Sequence, residues 1–166
     1  MKLISIGLLA SISLTACAAL NNADIPHASA NDFRVLEGNE WTGELEYLNF
    51  GRDDRSSIPV GLKVVVLNDS EIEYAIKYPG EEQHNAVETL TLSDDNSMID
   101  GSRIASRETV NGDLILITVG AGTDDGQDVT VRTTYEIAEA RFHMRKDVRR
   151  GENETFFNRN EYRFTR

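Results

Sequence analysis

Cysteine is almost absent from this sequence: Cys17 stands alone, so no disulfide can form within the chain. Cations are also short. Lys and Arg total 17 against 28 Asp and Glu, a formal charge of -11. A chain so acidic gains nothing from counterion release on a phosphate backbone, which excludes nucleic acid as a partner. The same charge disfavours flat adsorption on anionic lipid, so any membrane attachment must be covalent. Histidines number three, His27, His84 and His143, and none has a second ligand at metal spacing. A zinc site needs three or four convergent ligands, so no metal is expected. The chain has no Gly-x-Ser-x-Gly elbow, no cysteine nucleophile outside the N-terminal region and no serine with a His–Asp relay. Its carboxylates fall mainly on outward strand faces or in turns, where solvent keeps them ordinary. The sequence therefore reads as non-enzymatic and without a cofactor.

What is present begins at the N-terminus. Lys2 supplies a small positive charge, and residues 3–14 (LISIGLLASISL) form an apolar stretch too short to span a bilayer, which takes about 20 residues. This is an export signal. It ends in Leu14-Thr15-Ala16-Cys17, an aliphatic residue, two small residues and the cysteine, which resembles the lipobox read by the lipoprotein signal peptidase. The resemblance implies that Cys17 is alkylated with diacylglycerol, that the chain is cut before it and that the new amine is acylated, by a palmitoyl group or its like. Two or three acyl chains hold a protein stably where one does not. Ala18 stands where an aspartate would resemble the inner-membrane retention signal, so the expected residence is the outer membrane, facing the periplasm. Residues 1–16 are read as the signal peptide, 17–32 as the lipidated N-terminus and a flexible tether, and 33–166 as one domain of ordinary size. Asn31 or Asp32 is expected to cap a short helix through Phe33, Val35 and Leu36 that stops at Gly38.

From Trp41 onward the hydrophobic period is two. Trp41, Gly43, Leu45 and Tyr47 share one face, Ile58 to Val66 repeats the alternation, and Ile72, Tyr74, Ile76 and Tyr78 alternate with mostly charged neighbours. Further strands are predicted at 86–92, about 98–108, 114–119, 129–137, 140–149 and 155–165. Turn signals separate them, among them Asn111-Gly112 and Asp125-Gly126, and Gly120-Ala121-Gly122 is read as turn punctuation. Connections this short make neighbours in sequence neighbours in space. The expected fold is all-β, a single antiparallel up-and-down β-barrel of about 8–10 strands, because closure removes the exposed edges. A β-sandwich is the alternative, which usually needs longer crossovers.

Gly38-Asn39-Glu40-Trp41 at the first strand, a short helical lead-in, an antiparallel meander and the last strand Tyr162-Arg163-Phe164-Thr165-Arg166 resemble the lipocalin and wider calycin barrels. Those families show Gly-x-Trp, one residue shorter than here. They stack an arginine of the last strand on the tryptophan, a role open here to Arg163 or Arg166. The resemblance implies a lumen that takes a small hydrophobic ligand. On the inward faces, Tyr47, Tyr74, Tyr78 and Tyr135 are the candidate ligand-lining residues, and filling a core is their other reading. A second candidate is basic: Arg132, His143, Arg145 and Arg159 are expected side by side on the outside of the last strands, with Val131, Phe142, Met144 and Phe156 inward. That face is either an anion or partner site that docks an envelope protein, or a salt-bridged exterior. Asp124, Asp125 and Asp128 form an acidic loop, read as a hairpin tip and not as a calcium loop.

Overall fold

The computed structural model describes residues 25–38 and 40–166; Cys17 and the residues expected to form an export signal lie outside the described residues. Ten antiparallel strands follow one another: β1 Trp41–Leu48, β2 Arg55–Val66, β3 Glu71–Lys77, β4 Ala86–Thr91, β5 Met98–Ile99, β6 Ser102–Val110, β7 Asp113–Asp124, β8 Gln127–Ile137, β9 Arg141–Arg149 and β10 Phe157–Thr165. Each pairs with its neighbour in sequence except that β4 meets β5 only through the Leu92–Ile99 bridge, and the first and last strands pair with each other. The order is that of an up-and-down barrel, closed except along the Ala86–Leu90 edge of β4. The sandwich alternative is not what forms, because the short connections leave no crossover to build a second sheet.

The alternation seen in the sequence becomes rows of inward side chains. One row crosses the sheet as Ile137, Phe142, Phe164, Gly43 and Val60. The next is Leu116, Tyr135, Met144, Tyr162, Leu45 and Ile58. The third, Thr118, Thr133, Lys146, Asn160 and Tyr47, carries a polar group at every position. Apolar packing thus fills one end of the barrel, with Phe142 and Phe164 stacked 6.1 Å apart, and polarity rises toward the other.

A 3-10 helix, Ala30–Leu36, plugs the apolar end. Its cap is Ser29, not Asn31 or Asp32. The Ser29 hydroxyl accepts the Asn31 N–H, and the Asp32 carboxylate accepts the Ser29 N–H at 2.9 Å, so orphan donors at the helix start are satisfied reciprocally. Phe33 and Leu36 are fully buried, and Phe33 meets the edge of Tyr135 at 6.2 Å. Burial of each stabilises by roughly 1.5–3 kcal/mol. Residues 27–32, expected in the tether, belong to the folded domain: the Ala28 N–H donates to the Asn96 carbonyl at 3.0 Å, and Ala28 and Ala30 are buried.

Two further expectations need correction. Gly120 and Gly122 lie inside β7 and not in a turn. A Cβ at Gly120 would overlap the Ser102 side chain, and one at Gly122 would stand 2.7 Å from a Val131 methyl, so they mark close approach within the barrel. The strand predicted at 98–108 is broken into β5 and β6 by Asp100 and Gly101, both with positive φ.

Candidate functional site in the lumen

The polar end of the barrel is incompletely filled. A cavity of about 590 Å³ opens at the mouth between Leu45, Tyr47, Ile58, Tyr78, Lys146 and Arg159. A second, of about 360 Å³, lies deeper beside the β4 edge, between Tyr74, Leu90, Asp100, Tyr135, Lys146 and Tyr162. Glu88, Lys146 and Asn160 line both, so the two are neighbouring compartments of one lumen. The four tyrosines singled out in the sequence are brought together here: Tyr47 and Tyr78 at the mouth, Tyr74 and Tyr135 in the deeper compartment.

Their hydroxyls are not equivalent. Tyr78 and Tyr162 hydroxyls hydrogen-bond at 2.9 Å. Burial, together with that bond, pushes the Tyr162 phenol well up, and burial does the same to Tyr135. Tyr74 is 3% exposed, and its hydroxyl has no hydrogen-bond partner among the described residues. Burial raises its phenol far above the ordinary value, so at neutral pH these three groups are neutral donors. Burial also pushes the Asp100 carboxyl up, although its Oδ1 accepts the Thr91 N–H at 2.8 Å.

Three residues of this site escaped the sequence reading: Lys146, Asn160 and Tyr162. The signal was present, since Lys146 keeps step with Phe142 and Met144, and Asn160 and Tyr162 keep step with Phe164. Charge and polarity masked it.

The expected cationic exterior is only partly assembled. Arg132 and Arg145 do face outward, but both hydrogen-bond to Asp147, at 2.7 Å and 2.8 Å. Burial works against ionisation of Asp147, yet the two guanidinium groups outweigh it and hold its carboxyl below the usual range. His143 stands 3.5 Å from the Glu136 carboxylate. Arg159 is not on this face. A bulge between Asn158 and Asn160 adds a residue to β10 and turns Arg159 inward, where it is 7% exposed, hydrogen-bonds to Asp124 at 2.9 Å and to the Leu48 carbonyl, and lies under the Phe50 ring. The bulge also reverses the expected parity upstream: Phe157 pairs with inward Val148, while Phe156 sits outside beneath Arg132 and Arg149. Asp124, of the acidic loop, is committed to Arg159, and among the described residues no group of three His, Cys, Asp or Glu is placed to hold a metal.

No protein-family model matches the chain, and no curated protein sequence matches it. Among solved structures, the crystal structure of Rv2717c from M. tuberculosis superimposes with a TM-score of 0.57, covering 85% of this chain and 99% of that one at 9% identity. At that identity the likeness is one of fold: both chains form the same kind of barrel.

Proposed function

We propose that this chain is a lipid-anchored lipoprotein of a bacterial cell envelope, resident in the outer membrane and facing the periplasm, whose barrel is a non-catalytic binding module for a small hydrophobic or amphipathic ligand. The anchor rests on Leu14-Thr15-Ala16-Cys17. The binding reading rests on one observation above the rest: a barrel packed solid at its plugged end leaves about 590 Å³ and 360 Å³ unfilled at the other, within the size range of small-molecule sites. Side chains that served only as core would close such space, because voids forfeit packing contacts. A docking role for the exterior has less support, since Asp147 satisfies Arg132 and Arg145, and Arg159 lies inside.

The binding test is uptake of a fluorescent fatty-alcohol probe by the full chain in phospholipid nanodiscs, with empty nanodiscs as blank. Saturable uptake is expected, and it should vanish in Ile58→Trp, which fills the mouth. Equal uptake by the variant, or none by the wild type, contradicts the reading. For the anchor, Cys17→Ala should abolish incorporation of labelled palmitate and accumulate uncleaved precursor. Normal processing of that variant contradicts the lipobox.

A further inference from the structure

β7 departs from the alternation of a strand with one face on the core and one in water. Its Leu114 and Leu116 pack inward, Leu116 fully buried. Ile115, Ile117 and Val119 therefore point outward, and they too are apolar and β-branched. A strand apolar on both faces is the pattern of one covered on both. The pairing register shows what surrounds this outward stripe. Val119 lies between Arg103 of β6 and Arg132 of β8, and Ile115 lies between Glu108 of β6 and Glu136 of β8. Ile117 is at the centre, between Ser106 and Thr134. The patch is thus cationic at one end, acidic at the other and apolar along its middle. Arg132 is shared with Asp147 and Glu136 with His143, whereas Arg103 and Glu108 are exposed and neither is in an ion pair among the described residues.

Such a layout is its own complement. A two-fold axis at Ile117 that runs across the strands reverses β7 and keeps β6 over β6 and β8 over β8. It brings Glu108 onto Arg103 of the second copy, Glu136 onto Arg132 and Ile115 onto Val119, with Ile117 facing itself. An axis along the strands would instead set Arg103 on Arg132 and Glu108 on Glu136, like charge on like, so charge selects the reversed arrangement. We infer that the outward face of β6, β7 and β8 is a self-association surface, on which a second copy of this chain packs sheet to sheet with its β7 reversed. The inference is independent of what the lumen binds. Three residues on each of three strands make a small contact, below the roughly 1,200 Å² of a standard interface, so the dimer is reversible and is weakened by salt.

The test is crosslinking of the full chain, purified in mild detergent, with a short bismaleimide. Ile117→Cys places a thiol on the axis. Wild type, whose single cysteine is Cys17, gives the background, and Lys63→Cys, on the exposed outward face of β2, reports chance collision. A covalent dimer above both backgrounds is expected from Ile117→Cys. Adding Glu108→Arg should abolish it by setting Arg against Arg103 of the second copy, and adding Arg103→Glu to that variant should restore it. Circular dichroism checks that each variant is folded. Should Ile117→Cys not fold, sedimentation velocity at low salt carries the same expectation: a dimer mass for wild type, a monomer mass for Glu108→Arg and a dimer again for the double charge swap. No dimer above background, equal crosslinking from Lys63→Cys, or a double swap that fails to restore the dimer overturns the inference. Crosslinking of Ile117→Cys to a co-purifying protein of different mass, in place of a second copy, overturns it as well.

Discussion

Arg166 lies over Trp41, its guanidinium carbon 4.5 Å from the ring centroid, while the Trp41 indole N–H donates to the Leu36 carbonyl at 2.9 Å. The residue that follows β10, the first of β1 and the end of the plugging helix are thereby joined at one buried ring. Of the two arginines open to that role, Arg163 is directed outward to Glu161 and Glu46. Arg166→Ala should therefore cost about 0.5–2 kcal/mol of stability, and Arg163→Ala much less, because its ion pairs are exposed. Urea unfolding followed by Trp41 fluorescence measures both. Equal losses would contradict the assignment.

Asp147 gives a pH dependence of known sign. Its folded carboxyl titrates below the unfolded value of about 3.9 because Arg132 and Arg145 favour the charged form. The stability it adds is therefore fully present above pH 4 and is lost as pH falls through the folded value. Asp147→Asn should cost about 1–3 kcal/mol at pH 7, the upper end being tempered by the exposure of its two partners. The gap between wild type and variant should narrow below pH 4. A gap that stays constant with pH would show that the ion pairs are not its source.

Glycines in β1 and β2 differ in what surrounds them. A Cβ at Gly43 would overlap the backbone carbonyl of Arg163 across the β1–β10 pairing, whereas at Gly61 its nearest neighbour is the Trp41 carbonyl oxygen at 3.6 Å. Gly43→Ala should destabilise by about 1–3 kcal/mol or more, since backbone must shift. Gly61→Ala should stay within about 0.5 kcal/mol of wild type. Thermal melts of the two variants decide this, and similar melting temperatures would contradict the close approach.

Tyr74→Phe should stabilise the unliganded protein by about 1 kcal/mol, because the hydroxyl it removes is buried and has no partner among the described residues. Destabilisation by Tyr74→Phe would mean the hydroxyl already has a satisfying partner.

Much of the barrel is legible in the residues because a two-residue period needs only the right parity. Trp41 to Tyr47 and Ile72 to Tyr78 face as their alternation says, and the short turns fix the strand order. Parity fails where a residue is inserted. Nothing local in Asn158-Arg159-Asn160 announces the bulge, and it is the bulge that moves Arg159 from the exterior to the mouth. Glycine misled in another way: Gly120 and Gly122 read as a turn, while their small size serves close approach to Ser102 and Val131. The site itself was half visible. Four tyrosines could be placed by alternation, but Lys146 was passed over because a lysine in a strand ordinarily faces water.

The whole account depends on the polar end of the barrel being open to a guest. Native mass spectrometry of the chain, purified in mild detergent from cells that express it, tests this most directly. A single small molecule bound one to one, absent from Ile58→Trp, is the predicted result; the bare chain mass, unchanged after exposure to octanol and octanoate, would contradict it.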